Sequence, residues 1–532
     1  MKKFFKLLFS RFPVVALTII ALFLVYALIA IGAVYICIHL PLIWFPPEEH
    51  PYINLTVNIV TAALGWLVVT VTILHIVNRD MVPETKIPWI LCVMILNVLG
   101  VVIYITFSSN RPSRRQRRTY RELRKHLLRF RARDFGGEEA KESLFEWAPV
   151  SEALYKRNPA AILRGGTKTK YFSSGEDFFE ALLADLRNAE KYIFLEYFII
   201  EHGKMWGAIH EILKEKVFQG VEVRLLYDDI GSMAKVSAGY YKKLKKEGIH
   251  CVKFNPFVPV ATNVHNNRDH RKITVIDGTI GYTGGINLAD EYINETHPFG
   301  HWKDSAVRLE GSAVKDLTLM FLHLYNLRLR GPVEDFTPYI PASYEQYEGE
   351  GHVQVYGDGP RPLYASQIGE DTYLDLINAA KKSLYITTPY LIIDYRLQMA
   401  LVAAAARGVD VKIIVPHIPD KKLAFALTRS NYLSLIKGGV HIYEYLPGFI
   451  HAKSFLVDGE AAVVGTINLD YRSLMHHYEN AVFMVRTKAV EELKADMEET
   501  LARSALQTEE DAKKSVVWRG LCEIAKAFAP LF

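Results

Sequence analysis

The sequence predicts an α/β protein made of two similar halves behind an N-terminal membrane anchor. Within its 532 residues, the pattern His-x-Lys-x4-Asp-x6-Gly-x2-Asn occurs twice, beginning at His270 and at His451. Strand-like and helix-like segments recur in the same order around both copies, which indicates an internal duplication. Long apolar stretches are concentrated before residue 110.

The apolar region contains three stretches, at roughly 13–45, 57–77 and 87–107. The second and third each run about 20 residues without a charge, which is the length an α-helix needs to cross a bilayer. The first is too long for the core of a signal peptide. Its prolines would let this stretch turn back instead of crossing the bilayer. We therefore expect residues 1–110 to form a retained, multi-pass anchor of two or three transmembrane helices. The side of the N-terminus stays open.

A basic segment follows the third apolar stretch. Between Arg111 and Arg133 there are eleven Arg or Lys residues and a single acid, Glu122. The positive-inside rule then predicts that everything downstream faces the cytoplasm. Such a segment is attracted to anionic lipid, although a nucleic-acid patch or a solvated helix face would have the same composition. Residues 111–161 are expected to form this basic connector.

Cysteine usage limits the classes of protein further. The chain has four cysteines, two of which, Cys37 and Cys92, lie inside apolar stretches. No CxxC pair and no Cys/His spacing typical of a metal site is present, so neither a disulfide framework nor a structural zinc site is implied. We expect no metal and no other cofactor.

The two halves are predicted to span residues 162–345 and 346–532. Equivalent strand starts, such as Gly220 and Gly408, lie 181 to 191 residues apart. Strands that alternate with helical segments imply a mixed or mostly parallel sheet covered by helices. A pseudo-two-fold axis between duplicated halves would bring their equivalent loops together.

The repeated motif provides residues suited to an anionic phosphoryl group. A His and a Lys two positions apart on a strand point to the same face, so His270 with Lys272, and His451 with Lys453, can reach one phosphate. One neutral imidazole can attack phosphorus, and the other can exchange a proton with the leaving and incoming oxygens. The lysines would bind the non-bridging oxygens. Two in-line displacements predict a phosphohistidine intermediate and net retention at phosphorus.

The motif also contains an asparagine and an aspartate in each copy. Asn287 and Asn468 follow glycine turns and are expected to bind the same phosphate. Asp277 and Asp458 end the motif strands and are candidate catalytic residues that orient groups within each half. Capping a turn is an equally good interpretation of both aspartates.

A carboxylate follows each motif at a matching position. Asp304-Ser-Ala-Val in the first half parallels Glu479-Asn-Ala-Val in the second. A carboxylate bonded to the far nitrogen of each histidine would fix its tautomer. The alternative is an ordinary polar residue at a strand end.

His270-Arg-Lys-Ile-Thr-Val-Ile-Asp and His451-Ala-Lys-Ser-Phe-Leu-Val-Asp resemble the paired HKD motifs of the phospholipase D superfamily. More narrowly, Gly281-Tyr-Thr-Gly-Gly-Ile-Asn, Thr388-Pro-Tyr and Gly465-Thr-Ile-Asn-Leu-Asp-Tyr-Arg-Ser resemble bacterial cardiolipin synthases. The resemblance implies a phospholipase D-like fold and phosphatidyl transfer between two phosphatidylglycerol molecules, with release of glycerol and no required metal. It also implies a location in the bacterial cell membrane.

Three other functions are compatible with the same motifs. Water as the acceptor would make the protein a phospholipase D, and a nucleic-acid substrate would make it a membrane-tethered nuclease. A scaffold with an inactive domain is disfavoured because both motifs are complete. We expect phosphatidylglycerol, other anionic phospholipids and the membrane as partners, and no nucleic acid. Family analogy favours His270 as the nucleophile, while the oligomeric state stays open.

Overall fold

The computed structural model describes most of the chain as two compact units, an N-terminal helical unit and a larger α/β unit. The described residues are 32, 48–108, 117–123, 125, 144–257, 266–329, 332–360, 364, 366–513 and 516–531. The first predicted apolar stretch and most of the basic segment lie outside these residues.

The helical unit contains α1 (Pro51–Asn78), α2 (Pro83–Leu96) and α3 (Val98–Phe107). Val69 and Ile76 of α1 pack against aromatic and aliphatic residues of the two shorter helices. Within the described part of the chain, α1 is the one helix long and apolar enough to cross a membrane, and it supports membrane anchoring.

The third predicted apolar stretch is helical but not continuous. Asn97 has a φ of 52° and separates α2, of 14 residues, from α3, of 10 residues. A residue in that conformation breaks the helix, because the i to i−4 hydrogen-bond pattern requires negative φ. The expectation of two or more continuous spans is therefore not confirmed, and the described residues contain one.

The first half of the α/β unit is built on a seven-stranded mixed sheet. Its strands have the order β2-β9-β7-β6-β3-β4-β5. The neighbours β6/β3 and β6/β7 are antiparallel, whereas β3/β4 and β4/β5 are parallel. The strands are β2 (Lys168–Phe172), β3 (Tyr192–Tyr197), β4 (Glu222–Asp228), β5 (His250–Phe254), β6 (Lys272–Ile276), β7 (Ile280–Gly284) and β9 (Ala306–Glu310).

The second half repeats that strand order within a nine-stranded sheet. The order β10-β17-β16-β15-β11-β12-β13 corresponds strand for strand to the first sheet, with β1 and β18 added at the edges. The strands are β1 (Leu163–Gly165), β10 (His352–Asp358), β11 (Ser383–Thr387), β12 (Asp410–Pro416), β13 (His441–Tyr445), β15 (Ser454–Val457), β16 (Ala461–Gly465), β17 (Glu479–Val485) and β18 (Ser504–Leu506). The predicted duplicated α/β fold is confirmed.

Helices cover both sheets. The helices of the α/β unit are α4 (Ala148–Arg157), α5 (Gly175–Arg187), α6 (Lys204–Phe218), α7 (Tyr240–Lys246), α8 (Val314–Arg328), α9 (Ile368–Ala379), α10 (Tyr395–Ala406), α11 (Lys422–Ser430), α12 (Tyr432–Lys437), α13 (Tyr471–Met475), α14 (Lys488–Ala502) and α15 (Glu509–Ala512). Helix α16 (Val516–Phe528) follows at the C-terminus. One buried cluster contains Val275 of β6, Leu322 of α8 and Val482 of β17. The halves therefore share a core, and burial of apolar surface holds them together.

Two short elements cross the predicted boundary between the halves. Strand β1 pairs antiparallel with β10 and so belongs to the second sheet. Its residues lie within 162–345, the predicted first half. Leu154 of α4, within the predicted connector, is buried in the core of the second half. The second sheet thus has an edge strand, and its core a helix, from residues that precede the first sheet in the chain.

Candidate active site

The two motif histidines are held by backbone contacts between the halves. The N–H of His270 donates to the carbonyl of Tyr478 at 2.9 Å, and that of His451 donates to the carbonyl of Lys303 at 2.6 Å. Beside the second contact, β14 (Gly448–Ile450) pairs in parallel with β8 (His301–Lys303). Each histidine is thus tied to the residue immediately before the carboxylate of the opposite half.

Each histidine also contacts a carboxylate of the opposite half. His270 Nδ1 lies 2.9 Å from Glu479 Oε1, and His451 Nδ1 lies 2.6 Å from Asp304 Oδ2. Because an ionised carboxylate can only accept, each Nδ1 carries the proton and each Nε2 keeps its lone pair. All four side chains are buried. The pairing runs between the halves, which the sequence did not specify.

The surroundings of the two carboxylates differ. Glu479 also receives hydrogen bonds from the hydroxyls of Thr466 and Ser473, the latter at 2.7 Å. Asp304 accepts the backbone N–H of Ser305 at 2.8 Å. Gly285, which stands where the second half has Thr466, leaves the space that Asp304 occupies, since a Cβ there would lie 2.0 Å from its Oδ1.

Burial lowers the pKa of both imidazoles, of His270 to about 3 and of His451 to about 4, although the facing carboxylates partly oppose the shift. Burial alone would raise the pKa of the Glu479 and Asp304 carboxyls. The histidines they face, with Lys453 beside Asp304, hold both pKa values below their usual range. The resting site thus pairs neutral imidazoles with carboxylate anions.

The side chains of the two motif lysines are also buried. Lys272 Nζ donates to the carbonyl of His270 at 2.6 Å, and Lys453 Nζ donates to that of His451. Burial lowers the pKa of Lys272 to about 8 and that of Lys453 to about 7, while carboxylates of both halves oppose the shift. The crossed hydrogen bonds of the two histidines bring the half-sites, with these amines, together.

The two asparagines have different environments. Asn287 Oδ1 accepts the N–H of Ile199 at 3.0 Å, and its Nδ2 donates to the hydroxyl of Tyr292 at 2.6 Å. Asn468 is also buried, but its Oδ1 has no hydrogen-bond partner among the described residues. Asn287 therefore supports the protein framework, and Asn468 is the freer of the two for a ligand.

The motif aspartates are not brought into the site. Asp277 accepts the backbone N–H groups of residues 190–192 at 2.7 to 2.9 Å, and Asp458 does the same for residues 381–383 at 2.7 to 3.0 Å. Asp277 ends β6, five residues from Lys272, which is about 16 Å along an extended strand. In this structure the two carboxylates cap the turn that starts the neighbouring strand, as the alternative interpretation expects, and a catalytic role for them stays a prediction.

Several side chains that the motif does not contain surround the imidazoles. His451 lies against Trp302, with ring centroids 5.3 Å apart, and against Tyr292 and Phe449. His270 lies against Phe198, and the ring of His477 is 5.4 Å away. Trp302 and His477 each stand two residues before the carboxylate of their half, so aligning the two repeats would have revealed both positions.

Comparison with known proteins agrees with this geometry. The family model described as "Cardiolipin synthase, PLD-like domain" matches residues 182–303 and 373–501, one segment in each half. The chain is 34% identical to a cardiolipin synthase of Alkalihalophilus pseudofirmus over 421 residues, covering 78% of this chain and 82% of that protein. An uncharacterized protein of Streptococcus mutans is 42% identical over 474 residues, covering 86% of this chain and 99% of that protein.

A solved structure shares the fold. The phosphatidylserine synthase of Haemophilus influenzae superposes with a TM-score of 0.52 at 17% identity, covering 71% of this chain and 97% of that one. Duplicated sheets with paired HKD motifs define a phospholipase D-superfamily enzyme, and its similarity to cardiolipin synthases places it among those that metabolise phospholipids. The chain belongs to the cardiolipin synthase family of PLD-like phosphatidyltransferases.

Proposed function

We propose that this protein synthesises cardiolipin by transferring a phosphatidyl group from one phosphatidylglycerol to another, with release of glycerol. The observation that carries the proposal is the crossed pair of contacts, His270 with Glu479 and His451 with Asp304. It leaves two Nε2 atoms with lone pairs beside two buried lysines. That arrangement suits nucleophilic attack on a phosphodiester and proton exchange with its two alkoxide oxygens.

In the first step, Nε2 of His270 attacks phosphorus and the bond to the headgroup glycerol breaks. The leaving oxygen takes a proton from Nε2 of His451, so glycerol departs neutral. Glu479 keeps His270 in the attacking tautomer, and Lys272 with Lys453 neutralises the non-bridging oxygens. The anionic phosphodiester favours the imidazolium form of His451, so Nε2 of His451 takes up a proton from solvent when the lipid binds and before this step.

In the second step, the terminal hydroxyl of another phosphatidylglycerol gives its proton to His451 and attacks phosphorus. The phosphorus–nitrogen bond breaks, His270 is restored, and the product is cardiolipin. The sum is two phosphatidylglycerol molecules converted to one cardiolipin and one glycerol. Because each step inverts phosphorus, the overall configuration is retained.

The proposed setting is the cytoplasmic leaflet of the bacterial cell membrane. Helix α1 would anchor the enzyme, and the basic segment between Arg111 and Arg133 would attract anionic lipid. Phosphatidylglycerol is both anionic and confined to the bilayer, so anchoring raises its local concentration.

The test is a product assay with purified protein in mixed micelles that contain phosphatidylglycerol as the one phospholipid. Cardiolipin and glycerol formed in equal amounts are expected. Phosphatidic acid without cardiolipin would show that water is the acceptor and that the enzyme is a phospholipase D. If phosphatidylglycerol is untouched while single-stranded DNA is cleaved, the nuclease alternative replaces the proposal.

A further inference from the structure

His477 occupies a position that the proposed chemistry does not use. Its ring is buried, with its centroid 5.4 Å from that of His270, and its Nδ1 lies 3.6 Å from Glu479 Oε1, beyond hydrogen-bond distance. Neither ring nitrogen has a hydrogen-bond partner in the part of the chain that the structure describes. A buried polar group without a partner is costly, so its presence calls for a ligand or an ordered solvent molecule.

We propose that His270, His477 and Glu479 form a binding site for a divalent transition-metal cation of the Zn²⁺ class, and that its occupancy blocks the transfer reaction. One ligand atom from each residue lies within 4.8 Å of the other two. Two imidazoles and one carboxylate, with a fourth position open, are a common zinc donor set. Imidazole favours Zn²⁺, Cu²⁺ and Ni²⁺, whereas Mg²⁺ requires an octahedral shell of oxygens.

The duplication supplies an internal control for this site. In the half-site of His451, the position equivalent to His477 is held by Trp302. An indole has no nitrogen lone pair to offer a metal. The repeat therefore predicts a cation site beside His270 and none beside His451.

Occupancy would interfere with catalysis directly. A cation held by His270 and Glu479 takes either the imidazole lone pair or the carboxylate that fixes its tautomer. The imidazole then cannot attack phosphorus, and Lys272 nearby would be repelled by the added positive charge. Cation binding does not depend on the proposed function, whereas the blocking role rests on it.

The binding test uses full-length protein in detergent without lipid. Zn²⁺ affinity is measured by competition with a chromophoric chelator for the wild type, for His477→Asn and for His441→Asn, an exposed histidine away from the site. Since even an indirect partner of a ligand contributes about 10–100-fold, removal of His477 should weaken the tightest site at least 100-fold. His441→Asn should match the wild type, and Mg²⁺ should not compete. Equal Zn²⁺ affinity in the wild type and His477→Asn would overturn the site.

Two further measurements keep the proposal testable if His477→Asn folds poorly. Co²⁺ bound to wild-type protein should show the visible absorption of a four-coordinate site, and its absence overturns the proposal. The variant Trp302→His, after its fold is verified by circular dichroism, should bind a second Zn²⁺, with His451 and Asp304 as its other ligands.

The blocking role is tested with phosphatidylglycerol turnover, each rate being divided by the same variant's rate without metal. Zn²⁺ should inhibit the wild type over the concentration range in which it binds, and His477→Asn should resist. Equal inhibition of both proteins would overturn the blocking role. If neither the wild type nor the variant turns over phosphatidylglycerol, the proposed function fails while the binding result stands.

Discussion

The two half-sites share a backbone arrangement but differ in the side chains around it. His270 is oriented by Glu479, which receives two hydroxyl donors and has His477 beside it. His451 is oriented by the shorter Asp304 and is enclosed by aromatic rings. Duplication kept the contacts that aim both imidazoles, whereas divergence made their surroundings unequal. The proposed nucleophile, His270, and the proposed acid–base catalyst, His451, therefore lie in different surroundings.

Removing either imidazole should have the largest effect. We expect His270→Ala and His451→Ala each to lower cardiolipin formation by at least about 10⁴-fold, because each removes a complete chemical function. Rapid denaturation in neutral detergent, with a labelled phosphatidyl-p-nitrophenol whose leaving group needs no proton, should trap a covalent lipid adduct on His451→Ala and none on His270→Ala. The reverse trapping pattern would exchange the two roles, and substantial activity in both variants would rule out the two-histidine mechanism.

Neutralising the orienting carboxylates should rank next. Glu479→Gln and Asp304→Asn keep nearly the same shape but can hold the wrong histidine tautomer, so kcat should fall about 10²–10⁴-fold. With the same activated substrate, only Glu479→Gln should suppress formation of the covalent adduct, since that carboxylate contacts His270. Loss of the adduct in Asp304→Asn alone would contradict the crossed assignment.

The lysines should limit activity on the alkaline side. Burial lowers the pKa of Lys453 to about 7 and that of Lys272 to about 8. As the pH rises through this window the amines lose their charge, so kcat/KM for an anionic lipid should fall. The pH profile of kcat/KM checks this, and Lys453→Arg, if active, should move the decline upward because guanidinium stays charged. A kcat/KM that stays constant from about pH 6 to about pH 9 would contradict the predicted fall with rising pH.

A smaller effect should follow from Thr466→Val, which removes one hydroxyl donor to Glu479 without changing the side-chain shape. A single hydrogen bond to a charged group contributes about 1.5–3 kcal/mol, so we expect kcat to fall roughly 10- to 100-fold. Thr274→Val is the matched control, because that buried hydroxyl bonds to Tyr197 instead. Similar losses in both variants would indicate general disturbance.

The smallest effect on catalysis should come from the motif aspartates. Asp277→Asn and Asp458→Asn weaken contacts to turn N–H groups in each half, so the free energy of unfolding should fall by about 1–3 kcal/mol. At a temperature where the variants are folded, kcat should stay within about threefold of the wild type. Chemical denaturation and the product assay measure the two quantities, and a kcat loss without a stability loss would restore the catalytic interpretation.

Much of the fold was predictable because the duplication repeats the same order of apolar strand and helix segments in both halves. Apolar residues that alternate in 272–276 and are continuous in 455–457 predicted β6 and β15. The structure then showed that the two sheets have the same strand order. The break in the third apolar stretch was missed, because asparagine at position 97 leaves the hydropathy of the stretch high while its backbone adopts a positive φ. Composition predicts burial in lipid but does not fix a backbone angle.

By itself, the sequence determined the halves, the family and the histidine–lysine pairs, since these depend on residue type and short spacing. Tertiary structure decided which carboxylate serves which histidine. Glu479 lies 209 positions from His270, and Asp304 lies 147 positions from His451. Tertiary structure also placed the Asp277 carboxylate at a turn outside the site and the His477 ring beside His270. Contacts over such separations depend on how the two sheets pack, and spacing along one chain does not encode that distance directly.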